Sequence, residues 1–423
     1  MIVRVLWITN ILFPDICDRL GVTAPVTGGW MKSSAQALME YGSGIELAVA
    51  TLHGNSYSRV DINGVVYYCL PFNIYALKGY EPAMESYWQQ VADDFHPDIV
   101  HIHGTEYPHG LAYMRSNGAA NVVVSIQGLV GAYARYSLGQ IPEYELRRHR
   151  TFYDLLRGHL LRTPWQMAKA GQLENEYLLL ANHVIGRTDW DRDHVWAVNP
   201  KANYHFCNET LRSPFYTTSW TRSSCEAHSV FLSQAHKPIK GIHKVVEALP
   251  IIARHYPDVK VYVAGSDFTR QRSLKDKLHF GAYANYVLHL MNSLGVRERF
   301  VFLGMLTEGK MAERFSRAHV FVCPSSIENS PNSLGEAQLV GTPVVASYVG
   351  GVPNMVEHGC TGLLYRFEEH EMMARCICRV FGDDELAQSL SEQGKVAAQK
   401  RHGREVNALR TLEIYKIIID SYK

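Results

Sequence analysis

The chain is 423 residues long, 47% hydrophobic and 20% charged, a composition that folds and excludes extensive disorder. Its 42 Lys and Arg against 41 Asp and Glu leave a net charge of +1, which argues against duplex binding held by bulk charge and leaves room for a local basic patch. The length predicts two or three domains, and eight scattered cysteines without a CxxC pair read as reduced thiols.

The opening MIVRVLWITNILFPDICD reads as a strand rather than a signal peptide, because Arg4, Thr9 and Asn10 interrupt the apolar run and no small-residue cleavage site follows. No stretch of eighteen apolar residues occurs, so no membrane span is predicted. Strands are predicted at 3–9, 45–52, 65–70, 98–103 and 121–126, with helices at 31–41 and 84–95 between them. The second half repeats the pattern, with strands at 230–233, 259–264, 300–304, 320–324 and 343–347. Its helices fall near 242–255, 310–316, 332–340 and 369–381, and helices from about 384 close the chain. Nearly continuous apolar strands alternating with helices predict parallel sheets covered on both faces. The expected fold is α/β: two doubly wound Rossmann-like domains facing a central cleft. The segment 208–228, rich in Ser, Thr and Arg and without a period, marks the boundary. The predicted domains are therefore 1–220 and 221–400, with a terminal helix at 401–423 packing back on the first.

Two segments in the first half invite a chemical reading. His101 and His103 end a strand and share a face, as a metal pair would, but no third ligand stands at a characteristic spacing and no metal is predicted. The stretch 147–169 (RRHRTFYDLLRGHLLRTPWQMAK) carries five Arg, one Lys and one Asp among Phe152, Leu155, Leu156, Leu160, Leu161 and Trp165. It predicts a basic amphipathic helix suited to an anionic lipid surface, or else a surface helix whose apolar stripe joins the core.

The most informative strand end is 320–324, since ligands of open α/β sheets sit beyond the carboxyl ends of the strands. Ser330 suits an N-cap and Pro331 the first helical position. The amides of Asn332, Ser333 and Leu334 would then point out of a helix N-terminus, a ready anion site. Glu336 lies just over one turn deeper, on the same side as Asn332 and Ser333, and Glu328 sits on the loop before. One carboxylate ahead of a phosphate-binding turn and one behind it suit a ligand with hydroxyls at both ends. Two glutamates eight apart also arise by chance, because the dipole favours acids in a first turn. No GxGxxG follows the first strand, which disfavours a dinucleotide site.

The run PSSIENSPNSLGEAQLVGTPVVASYVGGVPNMVEHGCTGLLY resembles the donor-site segment of the retaining family 4 glycosyltransferases of the GT-B group. Gly28-Gly29, DIVHIHG at 98–104, Ile239-Lys240-Gly241 and Val263-Ala264-Gly265 follow in that family's order. The resemblance implies transfer of a sugar from a nucleoside-diphosphate sugar to an acceptor hydroxyl, with retention. It implies no cofactor beyond the nucleotide-sugar co-substrate and no tightly bound metal. Glu328 would hold hydroxyls of the donor sugar, Glu336 the ribose diol, and the amides of Asn332, Ser333 and Leu334 the diphosphate. Gly28 and Gly29 would bring bare backbone to the phosphates, and Lys240 would stabilise the leaving diphosphate. His103 would face the reacting sugar, with His101 buried in the sheet.

Two positions depart from the family pattern. Gln127-Gly128 falls where many relatives carry His-Gly, and glutamine cannot take a proton. Relatives commonly place an Arg five residues before the phosphate-binding Lys, whereas the loop here reads SQAHKPIKG and leaves Lys237 as the nearest second cation. The phrases SIQGLVG and ENSPNSLGEAQ resemble bacterial transferases of capsule, O-antigen or exopolysaccharide assembly. They imply a glycan or lipid-linked glycan acceptor, no nucleic-acid partner, and a cytoplasmic enzyme at the inner face of the plasma membrane. A sugar-nucleotide epimerase and a non-catalytic nucleotide-sugar-binding subunit share the expected architecture. The first would release nucleotide without an acceptor, and the second could dispense with Glu328.

Overall fold

The computed structural model describes residues 2–25, 28–71, 80–158, 160–271, 273, 276, 278 and 280–422. The chain forms two compact units, one of Met1–Ala132, Met167–Leu211 and His402–Lys423, the other of Tyr133–Gln166 and Arg212–Arg401. This division replaces a single boundary at 220. Segment 133–166 belongs to the second unit because Thr151 donates its hydroxyl to the Phe280 carbonyl (2.5 Å) and Asn285 donates to the His149 carbonyl (3.0 Å).

The first unit is built on strands β1 (Val3–Ile8), β2 (Ile45–Leu52), β3 (Ser58–Ile62), β4 (Val65–Leu70), β5 (Ile99–His103), β6 (Val122–Ser125), β7 (His183–Gly186) and β8 (Asn203–Phe206). Their order is β3-β4-β2-β1-β5-β6-β7-β8, parallel except for the β3–β4 hairpin at one edge. Alternate side chains of one strand feed two cores, as the strand period requires. Leu6 and Ile8 pack with Trp88, Tyr113 and Tyr177, while Val5 and Trp7 pack with Ile414, Tyr415 and Ile418. The last three come from the terminal helix Arg404–Tyr422, whose Tyr415 hydroxyl accepts from Trp7 Nε1 at 2.9 Å and meets His101 Nδ1 at 2.6 Å. β2 lies on one side of β1 and β5 on the other, so the crossovers reverse direction at β1.

The second unit carries β9 (Glu226–Leu232), β10 (Lys260–Val263), β11 (Phe300–Phe302), β12 (Ala318–Cys323), β13 (Val344–Ser347) and β14 (Leu363–Tyr365), in the parallel order β11-β10-β9-β12-β13-β14. Every residue of β12 is buried, as expected of a central strand covered on both faces. Among the described residues, no helix is long and apolar enough to cross a membrane.

The single amphipathic helix expected over 147–169 is not formed. Helices Glu143–Arg148 and Phe152–Arg157, a 3-10 turn Leu160–Arg162 and helix Thr163–Leu180 occupy the region, and His159 lies outside the described residues. The break has a local cause. The Asp154 carboxylate accepts from the Thr151 amide (2.9 Å) and hydroxyl (2.8 Å), starting a new helix, and Gly158 at φ +95° stops it. The apolar side chains stay outside all the same: Phe152, Leu155 and Leu156 are 67–69% exposed.

Candidate functional site

In the second unit the loop after β9 closes on a 3-10 turn, Pro238–Lys240, and on Gly241 at φ +70°. A Cβ on Gly241 would come within 1.7 Å of the Pro324 carbonyl oxygen, so only glycine lets this loop press against the end of β12. That approach delivers Lys240. Its Nζ stands 2.6 Å from Glu328 Oε1, which also accepts the Ser325 hydroxyl at 2.7 Å. Burial works against the Lys240 ammonium, but Glu328 outweighs it and the lysine pKa is raised. The Glu328 backbone is fixed from behind, its carbonyl accepting the Gly351 amide at 3.0 Å.

Helix Asn332–Val340 begins one residue later than Ser330 and Pro331 predict. Pro331 is the cap, and the Ser330 hydroxyl turns to the Met355 sulfur (3.5 Å). The Leu334 amide donates to the Pro331 carbonyl at 3.0 Å, so Leu334 is not a free donor as the sequence suggested. Among the described residues, the Asn332 and Ser333 amides have no carbonyl partner, leaving two donors at the positive end of the helix.

Glu336 is buried on the second turn and gripped from both sides. Arg212 donates Nε to Oε1 and an NH2 to Oε2, each at 2.7 Å. Burial raises the Glu336 carboxyl above its usual range, and Arg212 opposes that shift. A carboxylate has about four acceptor sites, so this fork leaves roughly two for a diol. Arg212 was missed in the sequence, because nothing local ties an arginine of the aperiodic linker to a glutamate 124 positions away. Lys237 is exposed and makes no ion pair among the described residues.

The remaining predicted residues lie in the first unit. Gly28, at φ +86°, caps helix Gly29–Tyr41, and a Cβ there would meet Ile11 at 2.7 Å. Two residues on, the Trp30 ring lies 6.1 Å from His103. His103 stacks on His101 (3.9 Å) and lies against Trp7 (4.4 Å). Among the described residues, both its ring nitrogens are buried without a partner. Burial, reinforced by Arg187, holds its pKa down to about 3, so it stays neutral. Both nitrogens of His101 are engaged at 2.6 Å, by Tyr415 and Ser125, which removes it as a metal ligand.

His103 faces a cavity of about 50 Å³ whose lining includes Trp30, Gln127, Arg187 and Glu209, the volume of a few water molecules rather than of a sugar ring. Arg187 pairs with Glu209 at 2.5 Å and donates to the Ile126 and Gln127 carbonyls at 2.8 and 3.0 Å. This buried pair was also not foreseen. Its one sequence signal is an arginine directly before the Thr188–Asp191 capping box.

Residues 226–397 match the family model described as glycosyl transferases group 1. Alpha-maltose-1-phosphate synthase of Mycobacterium tuberculosis is 32% identical, over 75% of this chain and 90% of its own length. Against several other curated relatives the chain spans less than half of their length. Among solved structures, sucrose-phosphate synthase of Thermosynechococcus elongatus superposes with a TM-score of 0.72 at 17% identity, covering 99% of this chain and 100% of its own. HepE of Anabaena, solved with UDP and glucose, gives 0.65 at 15% identity, covering 98% and 100%. The two parallel-sheet α/β units are thus those of the GT-B fold, and with a 32%-identical relative matched over 90% of its length, the chain belongs to the group 1 glycosyl transferases.

Proposed function

We propose that the chain moves a sugar from a nucleoside-diphosphate sugar to an acceptor hydroxyl with retention of configuration, as a family 4 enzyme of bacterial surface-polysaccharide assembly. The observation that carries this reading is the contact of Lys240 with Glu328 beside two unpaired amides at a helix N-terminus. As the bond between the sugar's anomeric carbon and the diphosphate breaks, negative charge grows on the departing oxygen. Lys240 has N–H donors beyond the one given to Glu328, and with the Asn332 and Ser333 amides they form a preset group of donors for that charge. Glu328 takes donor-sugar hydroxyls through its second oxygen, and Glu336 takes the ribose diol on the acceptor sites that Arg212 leaves. HepE, solved with UDP and glucose, supports a nucleotide-sugar donor. The acceptor is a glycan or lipid-linked glycan. The exposed Phe152, Leu155 and Leu156, with exposed Arg147, Arg148 and Arg150 nearby, support docking at an anionic inner membrane face.

Thermal shift against UDP-, GDP- and ADP-sugars identifies the donor, since a ligand at a hundred times its Kd adds roughly 2.7 kcal/mol. NMR of the product should then show the donor's anomeric configuration preserved, with activity surviving EDTA. An inverted product would remove the family 4 reading.

A further inference from the structure

The chain leaves the first unit after Ala132, between β6 and β7, and gives Tyr133–Gln166 to the second unit before it returns. The start of this excursion lies against the loop that carries Lys240. Ala134–Tyr136 forms a 3-10 turn, and the Gly139 amide donates back to the Tyr136 carbonyl at 2.9 Å. Gly139 sits at φ +60°, and a Cβ there would come within 2.4 Å of the Pro238 carbonyl oxygen and 2.8 Å of the His243 ring. Only glycine lets the two backbones approach so closely. Ser326, just beyond β12, ties the same pieces together. Its hydroxyl lies 2.9 Å from the Tyr136 carbonyl and 3.3 Å from the Ile239 carbonyl, to which its amide also donates at 2.9 Å. The turn Pro238–Lys240 is therefore held on two sides, by the end of β12 and by the excursion.

His243 fastens the second side. It is the second residue of helix Ile242–His255 and is 1% exposed. Its Nε2 lies 2.9 Å from the Gly139 carbonyl, which can only accept, so Nε2 carries the proton and Nδ1 takes the Tyr283 hydroxyl at 3.2 Å. Burial holds the ring's pKa down to about 3, so this single pattern of donor and acceptor persists at neutral pH. With both nitrogens given to protein groups, the ring has none left for a substrate. Gly139 is itself buried, so losing the histidine donor would orphan its carbonyl unless the excursion moved.

We propose that His243 is a positioning residue for Lys240: through Gly139 it clamps the excursion onto the Pro238–Lys240 turn and so fixes where the ammonium meets the departing diphosphate. The role in transfer rests on the transferase reading above, whereas the clamp is tested without it. The full chain is treated with acetic anhydride and each lysine is followed by mass spectrometry. In the wild type Lys240 should react slowly, because Glu328 holds it as an ammonium. His243→Leu removes the donor and keeps the site apolar, and it should speed Lys240 several-fold. Lys32, paired with Asp15 at 2.8 Å in the first unit, should keep its rate and so report that the fold is intact. His243→Gln, whose amide can still donate to Gly139, should restore slow reaction. Gly139→Ala pushes on Pro238 from the other side and should behave like His243→Leu.

Kinetics use the sugar nucleotide that thermal shift selects. His243→Leu should lower kcat about tenfold or more with a smaller change in donor KM, since a displacement of about 1 Å can cost a hundredfold. In a Lys240→Ala background the same substitution should cost nothing further, whereas damage to the fold would add in both. Lys240 labelling unchanged in both His243→Leu and Gly139→Ala, or equal kinetic losses in the two backgrounds, would overturn the proposal. Altered labelling in a chain whose wild type turns over no sugar nucleotide would instead remove the transferase reading and leave the clamp standing.

Discussion

Replacing Arg212 by Met removes the fork that holds Glu336. The side chains of the pair are 13% and 3% exposed, so the orphaned carboxylate gains little from solvent. Breaking a buried pair of this kind costs about 3–5 kcal/mol, and the partial exposure of Arg212 places the expected loss near the lower end, about 3 kcal/mol. Glu336→Gln should destabilise as well, since it leaves the guanidinium facing an amide. The double variant should cost less than the sum, with a coupling of about 2 kcal/mol. The pH dependence has a definite sign. Burial already raises the Glu336 carboxyl with Arg212 in place, and losing the guanidinium raises it further. The folded variant then holds a proton that the unfolded chain releases near its ordinary carboxyl pKa. Stability is greatest below that value and is lost as pH rises through the folded pKa. Urea unfolding of the four proteins at about pH 5 and pH 8 should therefore show the Arg212→Met penalty larger at the higher pH. A coupling near zero, or a penalty that does not change with pH, would refute the account of Glu336 as a carboxylate kept ionised by Arg212.

Lys240→Ala should cost about 3 kcal/mol or more in kcat/KM, as loss of a transition-state donor does, while Lys237→Ala costs about 1–2 kcal/mol. Steady-state kinetics of both decide whether the exposed lysine replaces the absent arginine, and a silent Lys240→Ala would remove the phosphate site. Gly241→Ala places a methyl group 1.7 Å from the Pro324 carbonyl, so it should reproduce the kinetic loss of Lys240→Ala by displacing the loop. A fully active Gly241→Ala would contradict the close approach. Sedimentation with anionic liposomes should fall when Arg147, Arg148 and Arg150 become Ser, by on the order of 1 kcal/mol per residue, and at high salt. Equal binding to neutral vesicles would refute docking by charge.

The parallel cores were legible because strands such as Val344–Ser347 and Ile99–His103 are short, buried throughout and rich in Val and Ile. Strands β7, β8 and β14 were not, since three or four residues such as Asn203–Phe206 carry no period. In the site, the Glu328–Glu336 spacing and the Lys240-Gly241 pair stood out as local patterns. The partners of the buried charges did not. Arg212 with Glu336 and Arg187 with Glu209 are contacts made by the fold, and pattern reading along the chain sees only neighbours. The broken helix at 147–169 failed for the opposite reason. A Thr-x-x-Asp cap and a glycine, both local signals, interrupt the amphipathic stripe there.

The division of the chain between the units has a consequence for synthesis. The first unit opens with β1, yet the helix that covers Val5 and Trp7 ends at Tyr422. Domains made on the ribosome ordinarily close in order of emergence, the N-terminal one first. Here the strands translated earlier must wait, one apolar face open, until Arg404–Tyr422 leaves the exit tunnel, while Tyr133–Gln166 and Arg212–Arg401 have already been delivered. The nascent chain therefore completes its second unit before its first. A premature stop between Arg401 and Arg404 yields a product whose second unit is whole and whose first lacks its covering helix, which makes that truncated form a substrate for chaperones and proteases through its first sheet.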